Sequence, residues 1–187
     1  MAELRRVCAE DCGFSDVHTY VQSGNAVFTT SSRSPARVAG AVHALVDELT
    51  EGRRAPDALG VSLGATVDRD GLVRGATFLG WPAPVDLAAL LEAETGLRTT
   101  IDNDVNAFTV AEHWFGVGRD TQEFAVLTIG AGVGLGLVCR DEVVRGRAGA
   151  VGMVGPLKVL DGRRAEEVLN RDRFLAAVDE AVGASVE

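Results

Sequence analysis

The stretch that most restricts what this chain can fold into is the apolar run from Phe124 to Cys139, which carries four glycines and a threonine. It is too short for the roughly 20 residues of a membrane helix. What remains is a strand, Phe124 to Ile129, then a glycine loop, Gly130 to Gly136, then a strand-turn-strand over Leu137 to Val144. Glycine is in excess over the whole chain, with 22 in 187 residues, about 12% against a usual share of about 7%. Because the glycines cluster, tight turns and loops that lie close to a ligand are expected.

Around this run, helical and strand patterns alternate, which places the chain in the α/β class. His18-Thr-Tyr-Val-Gln and Ala26-Val-Phe-Thr-Thr flank Ser23-Gly24-Asn25 and read as a hairpin. Residues 3–12 could form a short helix before it, closed by Gly13. Ser34 as a cap, Pro35 at the first position and apolar Val38, Val42, Leu45, Val46 and Leu49 predict a helix over about 35–50. Ala58 to Asp68 reads as a buried strand running into a glycine loop, and Arg69-Asp-Gly71 as a turn into the strand Leu72–Arg74. A helix at about 86–95 ends at Gly96. Thr99–Asp102 is a short strand, Asn106–Phe115 a helix, and residues 164–182 carry helical spacing.

Charge and cysteine content exclude several classes of function. Eighteen Lys and Arg against 27 Asp and Glu leave a net charge of −9, so direct nucleic-acid binding by this chain is not expected. Cys8, Cys12 and Cys139 show no zinc-ligand spacing, which predicts a reducing compartment and no structural zinc. The charged start Met1–Arg6 lacks the apolar core of a signal peptide, and no stretch reads as a membrane span. A cytoplasmic protein is the expectation.

Three motifs could carry chemistry. Asp102-Asn-Asp-Val-Asn106 sets two carboxylates and two amides at a strand end, where open α/β sheets bind ligands. Asp104 could take a proton from a hydroxyl there, or Asp102 or Asn103 could simply cap the following helix. Gly130-Ala-Gly-Val-Gly134 could cradle an anion with its backbone N–H groups, or its glycines could serve close packing. Gly60–Asp68 is a turn or a substrate loop. The lone His18, His43 and His113 have no assignable carboxylate partner and read as packing or surface residues, and Trp81 and Trp114 as core residues.

Taken in order, these segments resemble the ROK family of bacterial repressors, open reading frames and sugar kinases, over about residues 35–182. The matching stretches are Gly60–Asp68, Phe78-Leu-Gly-Trp81, Asp102–Asn106 followed by Ala111-Glu112, Thr128–Gly136 and Arg145-Gly-Arg-Ala-Gly149. The likeness is strongest to the actinobacterial regulators of the family. It implies an incomplete, two-lobed actin-like ATPase fold of the ribonuclease-H-like type. Residues 34–105 would form the N-terminal lobe and 106–187 part of the C-terminal lobe. By the same resemblance Asp104 is the base, Gly64, Asn103 and Glu166 bind the sugar with it, and Gly130, Ala131, Gly132 and Gly134 form a phosphate loop for ATP and Mg²⁺. A small-molecule sugar is the implied ligand and a homodimer the implied assembly. Residues 1–33 are set apart, because Thr19–Phe28 looks like a T-Y-x-Q-S-G-N-x-V-F strand pair of another bacterial domain family.

The departures bear on function. The kinases' N-terminal Asp-x-Gly-Gly-Thr loop has no counterpart, and threonine is replaced by Ala131 in the phosphate loop. Their Gly-Glu-Ile-Gly-His stretch reads Gly152-Met153-Val154-Gly155-Pro156, and the cysteine-rich zinc cluster is missing between Asp161 and Glu166. No zinc is therefore expected. The reading is a catalytically impaired sugar sensor or regulator-type domain. The alternatives are an ATP-dependent sugar kinase that uses Asp104, or a truncated interaction module.

Overall fold

The computed structural model describes residues 15–20, 25–81, 84–159 and 161–182, so the helix expected at 3–12 and the hairpin turn before Asn25 lie outside the described residues. The chain divides into two compact units, Met1–Asp102 and Asn103–Glu187.

In the first unit, β1 (Ser15–Tyr20) and β2 (Asn25–Thr29) pair antiparallel, with His18 opposite Val27. Helix α1 (Pro35–Thr50) begins where the Ser34 hydroxyl accepts the Arg37 N–H at 3.4 Å and Pro35 supplies a preset φ. Its inner side buries Val38, Ala39 and Leu45. Strand β3 (Ala58–Leu63) pairs with β6 (Arg98–Asn103). The expectation of a buried strand fails here: exposure alternates along β3, so only one of its faces packs inward. Strands β4 (Thr66–Val67) and β5 (Val73–Gly75) form a short hairpin.

That hairpin is closed by Asp68, whose side chain is only 7% exposed. One carboxylate oxygen accepts the Asp70 and Leu72 N–H groups at 3.0 Å, and the other accepts the Arg74 Nε–H at 2.7 Å. Burial pushes the carboxyl pKa up, but the N–H donors of Leu72 and Asp70 and the Arg74 guanidinium outweigh it, so the net shift is downward. Asp68 is thus committed to the turn.

Helix α2 (Leu87–Thr95) is capped by Asp86, which accepts the Ala89 N–H at 2.9 Å, and ends at left-handed Gly96. Leu87 and Leu91, four residues apart, share the face that α2 turns inward, and α1 packs against α2. With Val67, Val73, Trp81 and Ile101 they make one continuous core. Each fully buried leucine there contributes about 1.5–3 kcal/mol.

The second unit starts with α3 (Asp104–Phe115) and continues with β7 (Glu123–Ile129), β8 (Val133–Cys139) and β9 (Glu142–Val143), an antiparallel sheet in the order β7-β8-β9. The expected Gly130–Gly136 loop is corrected: only residues 130–132 turn, with Ile129 opposite Val133, and Gly134 and Gly136 lie inside β8. Arg140 and Asp141, both at positive φ, make the tight β8–β9 turn.

The helical stretch at 164–182 is two helices, α4 (Ala165–Val168) and α5 (Arg171–Val182). Asn170 separates them, because its side chain accepts the Arg173 N–H at 3.0 Å and starts a new helix. Trp81 is buried as expected, but Trp114 is 62% exposed. His43 and His113 do have carboxylate neighbours: Asp47 and Glu94 for the first, Asp141 for the second.

Candidate functional site

The candidate site is built at the first turn of α3. Asn103 caps the helix: its Oδ1 accepts the N–H groups of Val105 (3.0 Å) and Asn106 (3.1 Å). Its Nδ2 donates to Asp104 Oδ1 at 3.0 Å, and Val105 N–H reaches the same oxygen at 2.9 Å. Asp104 is exposed, and its second oxygen has no partner among the described residues. One carboxylate oxygen is held in place at the positive end of the helix dipole while the other is presented outward. Such a group can accept a hydroxyl hydrogen bond or take the proton. The cap, open between Asp102 and Asn103 in the sequence, is thus made by Asn103.

The glycines after β7 serve a different purpose from the one their spelling suggests. A Cβ on Gly134 would lie 2.6 Å from Val105 Cγ2, and one on Gly136 would lie 1.7 Å from Thr109 Oγ1. Residues four apart on a helix rise about 6 Å, and residues two apart on a strand span about 6.8 Å, so the Val105/Thr109 pair rides on the Gly134/Gly136 pair. That matched spacing is a sequence signal that reading the glycines as a phosphate loop passes over.

Gly130 donates its N–H to Gly132 O (2.9 Å) and accepts the Arg171 N–H (3.1 Å), tying the turn to α5. Gly130 and Gly134 are therefore used by the fold's own packing. Among the described residues Ala131 and Gly132 are left at the turn for an anion to meet, and the neighbouring Thr128 hydroxyl is turned to Gly134 O at 3.3 Å. This fits a nucleotide phosphate cradle poorly. Among the described residues, no three His, Cys, Asp or Glu side chains converge as metal ligands.

Glu166 lies on α4 against Gly155, where an added Cβ would come within 2.9 Å of its Oε2 and 3.3 Å of Val133 O. Glu166 N–H bonds Gly155 O at 3.0 Å, and the Arg164 guanidinium reaches Glu166 Oε1 at 3.4 Å. Arg164, which sequence reasoning missed, is signalled only by its opposite charge two residues away. The loop before it is pinned by glycines: Gly152 O accepts the Leu135 N–H at 2.9 Å, and a Cβ at Gly152 would lie 1.7 Å from Leu135 O. Met153, 51% exposed, and exposed Pro156 are carried on this fixed backbone.

After it the chain reverses sharply. The backbones at Lys158 and Arg164 face each other antiparallel, and Asp161 accepts the backbone N–H of Arg163 at 3.0 Å and its Nε–H at 2.6 Å. The Arg163 side chain, then its backbone N–H, holds the Asp161 carboxyl below its ordinary value. The predicted residues Asn103, Asp104, Gly130, Ala131, Gly132, Gly134 and Glu166 all belong to the second unit. Gly64 lies in the first, at the bend between β3 and β4 where Ala65 N–H bonds Leu63 O at 2.8 Å.

A sequence profile of the ROK family matches residues 15–165, a span that includes the β1–β2 hairpin. A glucokinase from Halalkalibacterium halodurans is 31% identical over 150 residues, 78% of this chain and 42% of that protein. A xylose repressor from Caldicellulosiruptor bescii is 31% identical over 98 residues, 52% of this chain and 24% of the repressor. The solved ROK glucokinase from Streptomyces griseus, bound to glucose and AMPPNP, superposes with a TM-score of 0.69 at 23% identity, over 85% of this chain and 54% of its own. The chain spans less than half the length of the curated relatives it matches. Its fold is accordingly part of the actin-like ATPase fold of the sugar kinases. With the profile covering most of its length and kinases and repressors both among its relatives, this chain belongs to the ROK family.

Proposed function

We propose that the chain is a carbohydrate-sensing, regulator-type ROK domain that binds a hexose or N-acetylhexosamine and transfers phosphate inefficiently or not at all. The observation that carries this reading is the Gly152–Pro156 loop. Its two glycines keep the backbone against β8 and Glu166, while the positions of the family's polar ligands hold Met153 and Pro156. The scaffold is kept and the chemistry altered. Losing one preorganised polar element commonly lowers a rate by about 10²–10³, and Ala131 in place of threonine removes a second. Asp104, Asn103 and Glu166 remain to meet sugar hydroxyls. Cytoplasmic location and pairing into a homodimer go with this reading. No helix among the described residues is long and apolar enough to cross a membrane.

A thermal-shift panel of glucose, N-acetylglucosamine and N-acetylmannosamine, with and without ATP and Mg²⁺, tests it. A sugar at about 100 times its Kd stabilises the folded state by about 2.7 kcal/mol, so the expected result is a raised Tm with sugar alone and no ATP-dependent phosphorylation above background. The second reading, a sugar kinase with Asp104 as base, is favoured by the outward oxygen of that carboxylate. Phosphoryl transfer that Asp104→Asn abolishes would establish it and overturn the sensor. A Tm that no sugar moves would leave the truncated interaction module as the reading.

A further inference from the structure

We propose that Arg164 and Gly155 are positioning residues for Glu166, each governing one oxygen of its carboxylate, so that the group meets a sugar hydroxyl in a single orientation. This inference rests on the reading of Glu166 as a sugar ligand. It begins with the backbone. Val159 N–H bonds Arg163 O and Ala165 N–H bonds Leu157 O, both at 2.8 Å, so the residues on either side of Arg164 are tied to the segment 157–159. Arg164 N–H is in turn held by Glu167 Oε2 at 3.0 Å. Arg164 is extended, with φ −75° and ψ 150°, and successive side chains of an extended chain leave on opposite sides. Two adjacent arginines are thereby given different partners. Arg163 is engaged by Asp161, and the Arg164 guanidinium donates to Glu166 Oε1 at 3.4 Å.

The other oxygen is governed by the lack of a side chain. Gly155 lies outside the positive-φ region, so its backbone would accept an L side chain and space alone asks for glycine. A Cβ there would come within 2.9 Å of Glu166 Oε2 and 3.3 Å of Val133 O. The first of these is the end of a flexible side chain. An alanine would therefore be admitted by displacing the carboxylate, with the bond from Glu166 N–H to Gly155 O (3.0 Å) left in place. Ordering a glutamate side chain in advance lowers the entropy that ligand binding must overcome, and a charge-assisted hydrogen bond depends on where the accepting oxygen lies. Arg164 and Gly155 thus act on affinity through Glu166, without touching the sugar.

Isothermal titration of the full chain with glucose, N-acetylglucosamine and N-acetylmannosamine tests it, with urea melts on the same samples. Losing a hydrogen bond to a charged group commonly weakens binding by about tenfold or more. That loss is expected for Arg164→Gln and for Gly155→Ala, at an unchanged urea midpoint. Arg164→Lys, which keeps a donor and the charge, should retain most of the affinity. Glu166→Ala should lose at least as much, and adding Arg164→Gln to it should cost nothing more, because both changes remove one interaction. A further loss in that double variant overturns the proposal, since Arg164 would then act by itself. Losses matched by lower urea midpoints overturn it too, as do affinities that Arg164→Gln and Gly155→Ala leave unchanged. If the natural chain binds none of the three sugars, the sugar-sensing reading fails, and the placement of Glu166 is decided by its side-chain couplings in NMR spectra. A single rotamer that Arg164→Gln converts to an average supports it. Averaging already present in the natural chain, or couplings that the variant does not change, overturns it.

Discussion

The two units of this molecule are held together by different means. In the first, Val67, Val73, Leu87 and Leu91 are fully buried and fill a core between two helices and short strands. In the second, the helix–sheet contact is made by Val105 and Thr109 lying on Gly134 and Gly136, while Phe108, Trp114, Phe115 and Leu127 are exposed. Filling space with branched side chains gains stability in proportion to area removed from water. Close approach over glycine instead gains precision of placement, and it fixes α3, whose first turn carries Asn103 and Asp104. The teaching is that the first unit has the stabilising core and the second has the positioned carboxylate.

Substitutions can break or sharpen this contrast. Leu91→Ala, at a residue with no exposure, is expected to destabilise the first unit by about 2–5 kcal/mol in urea melts followed by exchange of α1 and α2 amides. Gly136→Ala is expected to cost the second unit about 1–3 kcal/mol by forcing α3 off β8. Part of that loss should return in the double variant with Thr109→Ala; if the first-unit amides respond instead, the contrast fails. Arg140→Gly relieves a left-handed non-glycine residue in the β8–β9 turn and should raise stability by about 1 kcal/mol.

A smaller effect is gated by pH. Because the folded Asp68 carboxyl has a lowered pKa, it binds fewer protons folded than unfolded near pH 4. The stability it contributes is present above its unfolded value and is lost as pH falls through the folded one. Urea midpoints across an acid series should therefore fall less for Asp68→Asn than for the natural chain. Equal acid losses in the two would show that Asp68 is not the group responsible. Smallest of all, Leu127→Ala is expected to change monomer stability by no more than about 0.5 kcal/mol, because that side chain is half outside the fold.

Much of the local structure was legible before any coordinates. Ser34-Pro35 announced α1, Gly96 closed α2, and the polar stretch Asp102–Asn106 marked the passage from β6 into α3, because caps and turns depend on neighbours in sequence. Other features were not legible. Gly134 and Gly136 read as a loop because a glycine that frees a turn and one that admits a neighbour are spelled alike. Asn170 was hidden within a helical apolar spacing that continues across it. Glu94 beside His43 and Asp141 beside His113 come from other elements, which no local pattern reveals, whereas Asp47 stands four residues after His43 on the same helix.

The sequence by itself determined the α/β class, the carboxylates and amides at the start of α3, and Met153 and Pro156 beside the glycines at 152 and 155, since these follow from residue type and order alone. Only the tertiary structure decided which glycines serve packing, and that Asp141 comes beside His113 and Glu94 beside His43. Each of those depends on which atoms meet across the fold. Contacts between residues distant in sequence are set by how helix and sheet surfaces fit, not by the local order of amino acids.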